Sequence, residues 1–176
     1  MRPVKITQGA LGSTLWTLLD KQQAPFSVGL GAMITSGASL TYTVQYTYDD
    51  PGAAPRRVLV SRTTTVATVT DPDHRLSVGD NVIVAGTGSA VLDGSFDVAT
   101  VVDANNYTYT VANSGPTADI NASTVVSMRV YSITALAAQT TRKDANLITP
   151  VMAVRLNVSV YASGKVDLDI VQGLGL

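Results

Sequence analysis

The stretch SLTYTVQYTYDDPG, residues 39–52, alternates without a break. Leu40, Tyr42, Val44, Tyr46 and Tyr48 fall on one parity, and Thr41, Thr43, Gln45, Thr47 and Asp49 on the other. Successive side chains of a strand point to opposite faces, so only extended chain gathers this apolar set on one side; a helix would scatter it around its circumference. Asp50-Pro51-Gly52 then stops the run. The same period recurs upstream, where Val28, Leu30, Ala32 and Ile34 alternate with Gly29, Gly31 and Met33 before the cluster Thr35-Ser36-Gly37-Ala38. These two segments predict a hairpin. Near the C-terminus Val154, Leu156, Val158 and Val160 share one parity, Ala162-Ser163-Gly164-Lys165 reads as a turn, and Val166, Leu168 and Ile170 resume the pattern. A second hairpin is predicted there, with Arg155, Asn157, Ser159, Asp167 and Asp169 on its polar face.

Between these segments the texture changes. From about Val58 to about Val125 the chain is rich in Val, Thr, Gly, Asp and Asn. Short strands are predicted near Val58 to Val69, Asn81 to Ala85, Ser95 to Val102 and Tyr107 to Val111, joined by the polar turns Ser77-Val78-Gly79-Asp80, Leu92-Asp93-Gly94 and Asp103-Ala104-Asn105-Asn106. Such spacing predicts a small barrel or sandwich. The proline- and glycine-bearing DDPGAAPRR and ANSGPTAD flank it as the two legs of an insertion. The expected fold is therefore all-β: a β-sandwich or jelly-roll-like outer domain, residues 1–57 with 125–176, interrupted by a small β-barrel or β-sandwich, residues 58–124. Helix signals are thin. STLWTLLDKQQ permits a helix or an extended arm, and ITALAAQTTRKDAN holds at most one short turn.

Composition narrows the function. Charged residues make up 14% of the 176, against about 25% in an ordinary soluble domain. The surface is then covered largely by Thr, Ser, Asn, Gln and small apolar residues, and is poorly defended against association. The expectation is a chain that buries part of this surface against other chains as a homo-oligomer, with a neutral β-rich monomer as the alternative. A net charge of −1 with scattered Lys and Arg offers no field for a phosphate backbone, so no nucleic-acid partner is expected. There are no cysteines, which removes disulfides, thiolate nucleophiles and cysteine-bound zinc. The first twenty residues hold no sustained apolar run, so neither a signal peptide nor a membrane partner is expected.

The only histidine, His74, lies in DPDHRLSVGDNVIV among Asp71, Asp73 and Asp80. A histidine beside acids can act as a general base or bind a metal. A zinc site needs further ligands, and the chain has no second histidine to supply one. The simpler reading is a turn at Asp71-Pro72-Asp73 with His74 and Arg75 exposed, Leu76 inward and Gly79 supplying backbone freedom. GTGSAV lacks the last glycine of a dinucleotide loop, and SGKV lacks the rest of a phosphate loop. Tyr42, Tyr46 and Tyr48 can form a sugar-stacking platform, but their strand spacing with Leu40 and Val44 favours core. No catalytic residue, metal or cofactor is expected, and the chain is not read as an enzyme.

Two outer segments carry a resemblance. Tyr42-Thr43-Val44-Gln45 with Asp49-Asp50-Pro51, and the run Pro150-Val151-Met152-Ala153-Val154-Arg155-Leu156-Asn157-Val158, are similar to a group of small β-rich structural proteins of tailed bacteriophages. HRLSVGDNVIVAG and DGSFDVATVVDANNYTYTVA resemble small β modules of phage virion proteins. The resemblance implies a virion component made in the bacterial cytoplasm and seated on the capsid surface. There a decoration or cement protein would bridge subunits of the major capsid protein. A tail or head-to-tail connector part is the alternative, as is an adhesin whose inserted domain binds a host-surface glycan through Tyr107 or Tyr109. Leu15, Trp16, Leu18 and Leu19 are the candidate interface, on an arm without an obvious partner strand and with Trp16 as its anchor.

Overall fold

The computed structural model describes residues 3–22, 24–52, 56–115 and 126–173, the side chains of 113–115, 126 and 127 excepted. The second half of the ANSGPTAD leg, residues 116–119, lies outside the described residues. The strands in chain order are β1 (Val4–Gln8), β2 (Gly12–Ser13), β3 (Thr17–Leu18), β4 (Val28–Ile34), β5 (Ser39–Thr47), β6 (Arg56–Arg57) and β7 (Leu59–Thr70). They continue as β8 (Asn81–Ala85), β9 (Gly94–Asp103), β10 (Asn106–Gly115), β11 (Val126–Ser132), β12 (Lys143–Leu147), β13 (Ala153–Ser163) and β14 (Val166–Gln172). The protein is all-β. Among the described residues a single 3₁₀ turn, Thr134–Leu136, lies in the segment where the sequence allowed one short turn. Among the described residues no helix is long and apolar enough to cross a membrane. The chain divides into two compact units, residues 1–48 with 132–176 and residues 49–131.

The first unit is a sandwich. One sheet has the order β1-β14-β4-β12, and in the other β13 lies between β5 and the short strands β2 and β3; every pairing is antiparallel. The core is made by the alternation read from the sequence: Val28, Leu30 and Ala32 of β4 and Val166, Leu168 and Ile170 of β14 pack with residues of the opposite sheet. That sheet supplies Leu40, Tyr42 and Val44 from β5 and Val154, Leu156 and Val158 from β13. Burying a side chain of this kind contributes about 1.5–3 kcal/mol, so these positions dominate the stability of the unit.

Neither expected hairpin forms. β4 pairs with β14 and β12, whereas β5 pairs with β13, so the turn at Thr35–Ala38 carries the chain from one sheet to the other. The turn around Gly164 does the same between β13 and β14. Period two reports which face a residue takes, and both members of a hairpin and both members of a crossing between sheets present an apolar face. The two crossings touch. Thr35 N–H donates to the Lys165 carbonyl at 3.0 Å. Gly164 has φ +89°, and a Cβ there would stand 2.2 Å from Ala38 Cβ. Gly164→Ala combines a left-handed backbone with a clash, each worth about 1–3 kcal/mol, and is expected to cost about 2–6 kcal/mol. A melting temperature unchanged from wild type would refute that packing.

Val160 departs from its expected place. A register shift between Val158 and Val160 in the β13–β5 pairing moves Val160 opposite Thr41 and turns it outward, 59% exposed. An extra residue in one strand reverses the parity of everything beyond it.

The second unit is a closed barrel. β6 and β7 are nearly one stretch of chain, whose start pairs with β11 and whose remainder pairs with β10. The antiparallel pairing then runs β7-β10-β9-β8-β11 and returns to β6, so that among the described residues the ring of strands closes on itself. Inside lie Val58, Val60, Val69, Val82, Val98 and Tyr109, among others. The strand β6 and the barrel part of β11 make this unit begin at Asp49 and end at Tyr131, wider than residues 58–124. At the expected turn Ser77–Asp80, Gly79 adopts φ +89° and Asp80 N–H donates to the Ser77 carbonyl at 3.1 Å. The Asp80 carboxylate closes the turn by accepting from Ser77 N–H at 2.8 Å.

Candidate functional site

The N-terminal arm has a partner strand of its own. Gly12 and Ser13 pair with Val158 and Asn157, and Thr17 and Leu18 pair with Val154 and Ala153. Between these contacts Thr14 N–H donates to the Leu156 carbonyl at 2.9 Å, and the Leu156 N–H donates back to Thr14 Oγ1 at 3.1 Å. The arm is therefore the edge of the sheet, which corrects the expectation of an unpaired segment. The alternation of residues 11–19 was too irregular to reveal it, because the chain pairs in two short pieces with Leu15 and Trp16 looped between them.

The four expected interface residues separate into three environments. Leu19 is buried in the sandwich core and is not available to a partner. Trp16 is half-buried, with the Arg155 guanidinium 4.6 Å from its ring centroid. Trp16 thus packs over its own sheet and remains partly exposed. Leu15 is 90% exposed and Leu18 60% exposed, and Leu11 is exposed on the same arm.

Arg155 is the residue that sequence reasoning placed only as a polar strand position. It is buried, its Nε–H donates to Gln45 Oε1 at 2.8 Å, and burial pushes the guanidinium down to about 10, still a cation at neutral pH. None of the ion pairs among the described residues includes it. A buried cation without a counter-ion is costly unless solvent or a partner reaches its remaining N–H groups. The arm thus presents exposed leucines on a sheet edge, while Arg155 lies buried beneath Trp16.

The histidine segment is structural. His74 is 1% exposed, not exposed as expected. Its Nδ1 accepts from Leu76 N–H at 2.9 Å, its Nε2–H donates to the Asp103 carbonyl at 2.9 Å, and its ring stands edge-on to Tyr107 at 5.3 Å. Both nitrogens are engaged, so neither is free to bind a metal or move a proton. Among the described residues no group of three or more His, Asp or Glu could hold a metal ion. Around the turn, Arg56 pairs with the buried Asp71, Arg75 pairs with Asp73 on the surface, and Arg129 pairs with Asp49. Burial raises the Asp49 carboxyl, but the hydrogen bonds from Arg129 outweigh it and hold the group below the usual carboxylate range.

Tyr107 and Tyr109 are wholly buried in the barrel, with Tyr109 stacked on Phe96 at 4.3 Å and its hydroxyl donating to the Leu92 carbonyl at 3.0 Å. They cannot serve as the exposed aromatics of a glycan site. Tyr42 is core as expected, but Tyr48 is 47% exposed and Tyr46 only half-buried.

No protein-family model and no curated protein matches the chain. Among solved structures it is similar to "Phage phi92 endosialidase", at 21% identity over 49% of this chain and 15% of that one, with a TM-score of 0.40. This chain therefore spans a small fraction of that protein's length, and the likeness is too slight to carry an argument about fold or activity.

Proposed function

We propose that this chain is a structural virion protein of a tailed bacteriophage, a decoration or cement protein that bridges subunits of the major capsid protein. The observation that carries the reading is the arm. Leu11, Leu15 and Leu18 stand exposed on a segment held in register by β13, so their presentation to a partner costs little conformational entropy. The phage-like strand motifs of both units, the sparse charge and the absence of cysteine agree with a chain that assembles by burying uncharged β surface. The mechanism is mechanical. A protein bound across a subunit junction stabilises the assembled shell by mass action, and a multimer engages several junctions at once through avidity.

Deleting the first twenty residues would be a poor test, since it removes β1 and the core residue Leu19. The double substitution Leu15→Ser, Leu18→Ser leaves the core untouched. Burial of each leucine is worth about 1.5–3 kcal/mol, so binding to particles made without the protein should weaken by roughly a hundredfold or more while the melting temperature stays unchanged. Copies bound per particle would be counted. Wild-type saturation at a multiple of the shell symmetry supports cementing, binding at one vertex moves the protein to the tail or connector, and undiminished binding of the double variant refutes the arm as the interface.

A further inference from the structure

We infer that a shallow cleft on the sandwich, walled by Tyr46 and Tyr48, binds one ring of a neutral sugar. Tyr46, near the end of β5, and Tyr48, just past it, fall on the same parity, with ring centroids 5.5 Å apart and planes at 88°. Leu147 and Val151 line the cleft with them, and Ser132, Thr134 and Thr149 bring hydroxyls to it. Its volume is about 190 Å³.

Four features define the ligand. The volume is below the roughly 300–1,000 Å³ of sites for drug-sized molecules, and fits a single six-membered ring. The perpendicular tyrosines and the aliphatic wall offer apolar surface to the C–H face of such a ring. Among the described residues the hydroxyls of Ser132, Thr134 and Thr149 have no hydrogen-bond partner, and each can both donate and accept, as sugar hydroxyls do. No Asp, Glu, Lys, Arg or His lines the cleft, so a charged ligand would lose hydration without compensation. A purely apolar partner side chain would leave the three hydroxyls unanswered. The cleft lies wholly within residues 1–48 and 132–176, which moves any glycan binding from the inserted unit to the outer one.

The inference is independent of capsid binding, and its test uses the purified full chain alone. Amide spectra would be recorded during titration with glucose, galactose and N-acetylglucosamine, and with a sialylated trisaccharide as the anionic comparison. The expected result is shifts confined to Tyr46, Tyr48, Thr134 and Thr149 with a Kd on the order of 1 mM, as befits a small open site. Tyr48→Ala should weaken binding about tenfold or more with an otherwise unchanged spectrum, and Tyr48→Phe should bind within about threefold of wild type, since stacking needs the ring and not the phenol. Absence of cleft shifts with every neutral sugar, or binding insensitive to Tyr48→Ala, overturns the site. Tighter binding of the sialylated sugar overturns its neutral character.

Discussion

Leu156→Asp is expected to abolish folding of the sandwich unit. Leu156 is fully buried at the centre of β13, opposite Val44 in the β5 pairing and part of the core cluster that joins both sheets. Aspartate there loses the leucine burial, leaves a cavity and places a carboxyl group among aliphatic side chains with no cation to receive it. Losing the leucine alone costs about 2–5 kcal/mol, and an unpaired polar or charged group adds several more. The sum rivals the roughly 5–15 kcal/mol that holds an ordinary domain together. The arm would be lost as well, since its hydrogen bonds at Thr14 run to the Leu156 backbone. The amide spectrum of the variant should lose the dispersed signals of residues 1–48 and 132–176. A native-like spectrum with a melting temperature near wild type would mean that β13 is not a central strand.

His74→Ala is expected to destabilise the barrel by about 2–4 kcal/mol, a loss far larger than an exposed turn residue would show. The substitution strands the buried Leu76 N–H that donates to His74 Nδ1, which costs about 1–3 kcal/mol, and removes a fully buried ring packed against Tyr107. His74→Asn keeps an acceptor near the position of Nδ1, so it should recover about 1 kcal/mol of the loss. Denaturant unfolding followed by the fluorescence of the tyrosines would measure both. A loss under about 0.5 kcal/mol for alanine, the usual size for a surface position, would return His74 to the solvent.

The histidine also shows why some of the molecule was hidden. His74 is flanked directly by Asp73 and Arg75 and follows the turn formers Asp71-Pro72, so local composition argues for exposure. What buries the ring is the loop at Asp103–Asn105 from a distant part of the chain: its carbonyls accept from Asp71 N–H at 2.8 Å and His74 N–H at 3.2 Å, and Asp103 accepts from the ring itself. Arg155 is the same case on the sandwich. Its parity marked it as outward, and it is outward, but the outward face is roofed by Trp16 from an arm more than a hundred residues away in sequence.

Alternation determined by itself that the chain is all-β, which side chains of β4, β5, β13 and β14 form the sandwich core, and where the barrel strands β7 to β10 lie. It could do so because the two faces of a strand differ locally, in the residues of that strand alone. Only the tertiary structure decided which strands are neighbours, that the two predicted hairpins are crossings between sheets, that the arm is an edge strand, and that Tyr46 and Tyr48 meet three hydroxyls across a cleft. Pairing, roofing and clefts are made by segments far apart in the chain, and period two carries no record of the partner.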